Sequence, residues 1–169
     1  VVEKVPGQTY AYNRAFVSAC RLEEKPDYIA VLDDDEYPAE SWLQNLVAMA
    51  LSSEADIVGG PVFPRFDSQS HWLASTKLYE PRRYPQGIVP MIYGAGNMLI
   101  RRTVLEDYLD EPFLHEFAYT GGSDYDFFRR CQRDGRTFAW ADDAHVYETI
   151  PAARLSVKWL LRRAFRVGT

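Results

Sequence analysis

The chain has 169 residues, of which 47% are hydrophobic, 25% charged and 14% aromatic. Those proportions describe a folded globular domain and exclude disordered, collagen-like and coiled-coil chains. A chain of this length can bury roughly 70% of its unfolded surface, so a single domain over residues 1–169 is expected.

The net charge of -5 argues against a general nucleic-acid binder, which carries a basic excess. The sum conceals an asymmetry. Arg154, Lys158, Arg162, Arg163 and Arg166 are the only charged residues from 154 onward, and the preceding 153 residues carry a balance of -10. Cys20 and Cys131 fall in stretches with helical spacing and form no CxxC pair, which fits a reducing compartment such as the cytoplasm. The longest apolar runs reach about six residues, against the ~20 that span a bilayer. Opening on Val1-Val2-Glu3-Lys4, without Met or a signal peptide, the chain is expected to begin inside a longer one.

In chain order, Tyr12, Ala15, Phe16, Ala19 and Cys20 recur near a period of 3.6, which predicts a helix over 9–25 after Pro6-Gly7. Tyr28 to Leu32 is continuously apolar, the mark of a strand buried on both faces. It stops at Asp33-Asp34-Asp35-Glu36. Pro38 and Ser41 then introduce a helix carrying Trp42, Leu43, Leu46, Val47 and Ala50. Asp56 to Phe63 reads as one strand, and 68–90 as an irregular excursion around one short helix. Gly94 to Ile100 is a strand with a glycine-rich entry, followed by a helix near Thr103. A loop over 110–122 leads to a helix over 123–134 that ends at Gly135. Two short strands, 137–140 and 145–147, precede a basic amphipathic helix over 152–169. Strands alternating with helices predict an α/β sandwich around a mostly parallel sheet.

Four groups of residues carry chemistry. The Asp33-Asp34-Asp35 triplet lies beyond the carboxyl end of a strand, where α/β sheets bind ligands. Three adjacent carboxylates either share a hard cation with substrate phosphates or form a solvated turn that caps the next helix. Asp124, reached through Gly121-Gly122, is either a general base or a helix cap. Lys158, Arg162 and Arg166 recur every four residues and either hold a diphosphate or an anionic membrane surface, or form a solvated face. His145 and Glu148 are each either a metal ligand or structural.

Taken together, these segments resemble the family-two glycosyltransferases, whose nucleotide-sugar-binding α/β fold is called GT-A. The resemblance is carried by Pro6-Gly7 with Asn13-Arg14, by Tyr28 to Glu36 with Pro38 and Trp42, by Gly94-Ala95-Gly96-Asn97 with Arg101, by Gly121 to Arg130, and by 145–166. It implies a Rossmann-like αβα sandwich that is N-terminally incomplete: the first strands, which wall the nucleotide base, would precede Val1 and leave an exposed sheet edge. It also implies inverting transfer of one sugar from a nucleoside diphosphate sugar, with UDP the default, to a glycan or lipid-linked acceptor. Asp33 and Asp35 match the outer positions of the DXD motif. Asp35 would ligate Mn²⁺ or Mg²⁺, aided by Asp33 and Glu148. Asp33, Asp34, Asn13, Gly96 and Asn97 would contact the nucleotide sugar, and Lys158 and Arg162 the diphosphate. Asp124 would be the base, and Trp140 and Tyr119 would stack on the acceptor. The basic helix implies peripheral contact with an inner membrane.

The chain departs from the family at Ser123, where Glu is frequent, at Tyr12, where Arg is frequent, and at Glu148, where His is frequent. Leu155-Ser156-Val157-Lys158-Trp159 stands where processive members carry QxxRW, so addition of a single sugar is expected. Two other readings stay open. A haloacid-dehalogenase-type phosphohydrolase also places Asp-x-Asp after a strand, but carries Thr or Val where Tyr37 stands. A non-catalytic carbohydrate-binding or assembly module of the same fold is the other.

Overall fold

The computed structural model describes residues 1–66 and 72–168. The elements are α1 (Gln8–Cys20), β1 (Tyr28–Leu32), β2 (Glu36–Pro38), α2 (Trp42–Ser53), β3 (Ile57–Gly59), β4 (Val62–Phe66), β5 (Gly87–Val89), β6 (Asn97–Arg101), α3 (Arg102–Glu106), α4 (Ser123–Arg133), β7 (Phe138–Trp140), β8 (Val146–Ile150) and α5 (Val157–Gly168). Short 3₁₀ turns cover Trp72–Ser75, Lys77–Tyr79, His115–Phe117 and Ala152–Arg154. Residues 67–71, Thr169 and the side chains of Ala74, Ser75, Arg166 and Val167 lie outside the described residues.

A five-stranded sheet in the order β1-β6-β3-β7-β5 forms the centre, and a three-stranded sheet, β2-β8-β4, sits beside it. Period-two alternation divides the central strands between two cores. Ile57, Met98, Ile100 and Phe138 face one side, with Phe16 of α1, Val104 and Leu105 of α3, and Phe127 and Phe128 of α4. Val58, Leu99 and Ala139 face the other, with Leu46, Met49 and Ala50 of α2. Buried on both faces, these strands make the αβα layering that the apolar runs predict.

The sheet is mixed, which corrects the expectation of a mostly parallel one. β3 and β7 are parallel, whereas β6 runs antiparallel to β1 and β3, and β5 antiparallel to β7. The reversal of β6 positions the site. Leu32 pairs with Asn97, and Gly59 with both Met98 and Trp140. The glycine-rich entry to β6 therefore meets the carboxyl ends of β1, β3 and β7 at one edge.

The single strand expected over 56–63 is two strands in different sheets. At Gly60 a Cβ would sit 2.7 Å from both the Ala144 carbonyl and the Asn97 Nδ2, so the close approach needs glycine. Pro61 has no N–H for the ladder, and its carbonyl accepts instead from Val146 and Asn97. The chain crosses there into β4. The first helix ends at Cys20 rather than near 25, its last turn closed by the Arg21 and Leu22 amides on the Ser18 and Ala19 carbonyls. Gly135 takes φ 82° just past α4, as the C-terminal stop predicts.

Candidate active site

The turn after β1 folds Asp33 back over β6. The Glu36 amide donates to the Asp33 carbonyl at 3.1 Å, and the Asp33 amide to Glu36 Oε2 at 3.4 Å. Both carboxylates overhang Gly96, where a Cβ would lie 2.9 Å from Asp33 Oδ2 and from Glu36 Oε1. A side chain there would push both carboxylates aside. The Tyr12 hydroxyl, from α1, donates to Asp33 Oδ1.

Packing two half-buried acids together makes ionisation costly. Burial first, and then the charge of Asp33, pushes Glu36 up to about 7. Burial also raises Asp33, against the pull of the Tyr12 hydroxyl, which favours its charged form. Burial and the bond to Asp33 hold the Tyr12 phenol well above its ordinary range, so it remains a donor. Tyr12 thus turns toward the first Asp of the triplet.

Asp34 and Asp35 are exposed at the tip of the turn. Arg154 reaches across from the small-sheet side, placing Nη2 3.4 Å from Asp35 Oδ2 and Nη1 2.5 Å from Glu148 Oε1. Glu148 lies opposite Glu36 in the β2–β8 register. Asp124 enters from the other side in the first turn of α4. Gly121 and Gly122 precede it with φ of 82° and 94°, a left-handed path that glycine adopts without strain. Neither Ser123 nor Asp124 is the cap residue, and among the described residues the Asp124 carboxylate accepts only the adjacent Tyr125 amide, at 2.8 Å.

These groups surround a cavity of about 250 Å³ walled by Asp33, Glu36, Asp124 and Glu148, with Gly94 to Asn97 as its floor. A larger groove of about 1110 Å³ runs along α1 and the β1 strand, past Asp33 to Glu36, to Arg154, Trp159 and Arg163. Among the described strands β1 pairs with β6 alone, so its other edge opens onto this groove.

Several of the expected contacts lie elsewhere. Asn13 is buried, with Nδ2 donating to the Phe113 carbonyl at 2.7 Å and Oδ1 accepting the Phe113 amide at 2.8 Å. It clamps the loop before Asp124 and lines neither cavity. Asn97 reaches the cavity wall, but its side chain accepts from Trp42 Nε1 at 2.7 Å and donates to the carbonyls of Pro61 and Ala144. Trp140 is buried, edge-on to Tyr84, and Tyr119 is exposed with its hydroxyl on the Pro6 carbonyl. His145 stacks edge-on against Phe63. Lys158 and Arg162 are exposed and line neither cavity, whereas Arg154 and Arg163 line the groove. Packing of Leu160 against Leu73, Ile150 and Leu155 sets that helical phase. The periodicity identified the basic helix but not which of its cations turn inward. Glu36, absent from the sequence-based site, is visible there only as the acid that follows the triplet.

Among the described residues, no three His, Cys, Asp or Glu side chains gather closely enough to hold a metal by themselves. An all-carboxylate, oxygen-rich edge fits a hard cation held by one or two acids and completed by a diphosphate. It does not fit a closed three-ligand site of Asp33, Asp35 and Glu148.

An αβα sheet with an acidic cluster at one strand-end edge has the layout of a GT-A-type domain, and comparison supports that class. The structure is similar to three of S. aureus TarS: a 1–349 fragment in complex with UDP (TM-score 0.54, 16% identity, 85% of this chain and 40% of that one), the longer protein (0.56, 16%, 85% and 24%), and the fragment alone (0.55, 14%, 95% and 45%). The model of glycosyl transferase family 2 matches residues 4–109, and the chain belongs to that family. It is also 31% identical over 153 residues to the succinoglycan biosynthesis protein ExoM of Rhizobium meliloti (strain 1021), covering 89% of this chain and 49% of that protein. The chain thus spans about half the length of that relative. Family membership sets aside the phosphohydrolase reading. The family model's match ends at residue 109, before Asp124.

Proposed function

We propose that this domain transfers one sugar from a nucleoside diphosphate sugar, UDP being the first candidate base, to a hydroxyl of a glycan or lipid-linked saccharide, with inversion. The observation that carries the reading is the convergence of Asp124 with Asp33, Glu36 and Glu148 around one cavity whose floor is Gly94 to Asn97. UDP is supported by the TarS complex, and a polysaccharide acceptor by the role in the name of ExoM. In this reading the acceptor oxygen attacks the anomeric carbon while the bond from that carbon to the diphosphate oxygen breaks. The diphosphate leaves with the electron pair, and Asp124 takes the acceptor proton. A bound Mn²⁺ or Mg²⁺ supplies Lewis-acid stabilisation of the departing diphosphate. Asp35, at the rim beside Asp33, would hold it. Arg154 and Arg163 would add fixed positive charge along the groove.

The setting we infer is the cytoplasmic face of an inner membrane. No described helix is long and apolar enough to cross a bilayer. Val157, Leu161 and Phe165 are 52%, 66% and 75% exposed, beside exposed Lys158 and Arg162. An apolar stripe flanked by cations suits an anionic lipid surface.

The test is a thermal-shift titration with UDP, GDP, dTDP and CDP, each with and without Mn²⁺, on this chain and on Asp35→Ala. A ligand at 100 times its Kd adds about 2.7 kcal/mol, a rise of several degrees. One nucleotide is expected to stabilise the chain only with Mn²⁺ and to lose that effect in the variant. Silence from every nucleotide overturns the proposal.

A further inference from the structure

Three tyrosines from separate segments form a ladder beside Asp124. The rings of Tyr93 and Tyr125 lie 6.0 Å apart and 17° from parallel, and those of Tyr84 and Tyr93 lie 6.2 Å apart at 23°. Such spacing exceeds face-to-face contact, so the near-parallel rings are offset from one another. Tyr93 and Tyr125 are 42% and 49% exposed. Tyr84, the inner member, is fixed by the edge of buried Trp140. The Arg82 guanidinium lies 5.4 Å from the Tyr93 ring centre. Tyr93 lines the cavity that holds Asp124, and Tyr125 is the next residue after it.

We propose that Tyr93 and Tyr125 are the acceptor subsite, a platform on which a neutral pyranose ring of the acceptor saccharide stacks with its hydroxyl toward Asp124. The inference rests on the transferase reading and supplies the acceptor side, in place of the expected Trp140 and Tyr119. A pyranose has one face of C–H bonds, carrying partial positive charge, and a rim of hydroxyls. The negative face of an aromatic ring attracts the former. Arg82, beside the Tyr93 ring, stands ready for the latter. Tyrosine suits the task because two χ angles fix a large flat surface at little entropic cost. The inner contacts with Tyr84 and Trp140 hold the platform before a ligand arrives.

Saturation-transfer NMR with cellotetraose, laminaritetraose and maltotetraose tests this directly. At least one tetrasaccharide is expected to receive saturation, concentrated on one face of a pyranose. The Tyr93→Ala/Tyr125→Ala variant should lose it at least fivefold, and Tyr93→Phe/Tyr125→Phe should keep it. Tyr125→Ala alone, on the exposed side of α4, serves if the double variant folds poorly. Transfer to none of the three, equal transfer in the alanine variants, or the same loss in the phenylalanine variant overturns the platform. The nucleotide titration reports separately. Saccharide binding without any nucleotide effect would refute the transferase and leave the platform intact.

Discussion

Glu36→Gln isolates the electrostatic cost of the carboxylate pair over Gly96. Glutamine keeps the shape and an oxygen for the Asp33 amide but carries no charge. Glu36 titrates near 7 in the folded chain against an ordinary 4.5. The displacement corresponds to roughly 3 kcal/mol against the charged form, and screening at this half-exposed position reduces it to about 1–2 kcal/mol. Because the folded-state value is raised, the stability contribution is fully present below about 4.5 and is lost as pH rises through about 7. The variant should therefore match the parent near pH 4.5 and exceed it by about 1–2 kcal/mol at pH 8, or about 2–8 °C in Tm. Urea denaturation in EDTA at pH 4.5, 6, 7 and 8 measures the difference. A gain independent of pH, or a loss at pH 8, would refute the argument that like charge and burial strain this edge. With Mn²⁺ present, the parent should gain more than the variant.

Asn13→Ala should cost about 2–4 kcal/mol, because it strands the buried amide and carbonyl of Phe113, each worth 1–3 kcal/mol when unsatisfied. Hydrogen exchange over residues 110–122 should rise with it, and a loss below 1 kcal/mol would show that the clamp is replaced by water. The exposed face of α5 is expected to sediment the chain with vesicles containing 30% phosphatidylglycerol but not with phosphatidylcholine alone. Leu161→Glu should reduce that binding at least fivefold, and 0.5 M salt should weaken it. Equal binding to neutral vesicles, or none to either, would count against membrane contact.

Short-range pattern made much of the architecture legible. The continuous run from Tyr28 to Leu32, its halt at the acidic triplet, the glycine entry to β6 and the Gly135 stop of α4 are all local signals. Each depends on periodicity or backbone freedom within a few residues. The direction of β6 and the break at Gly60-Pro61 were not legible, because they follow from how distant strands share one edge. Asn13 and Asn97 looked like ligand contacts, since polar side chains near a motif carry no mark of their partners. Those partners, Phe113, Trp42, Pro61 and Ala144, lie 36 to 100 residues away. The same holds for α5, where sequence supplied a charged periodicity and Leu160 packing chose Arg163 over Arg162 for the groove. It holds too for the tyrosine ladder, whose members are brought together only when β6 and α4 meet at one end of the sheet. Sequence alone determined the helices, the β1 and β6 runs and the acidic turn, because hydrophobic period and backbone preference act locally, whereas the short strands β2 and β5, the latter inside the stretch expected to be irregular, form only by pairing with β8 and β7. Tertiary structure decided which side chains face the cavity and which are spent holding it, because burial and hydrogen-bond partners are assigned only by packing.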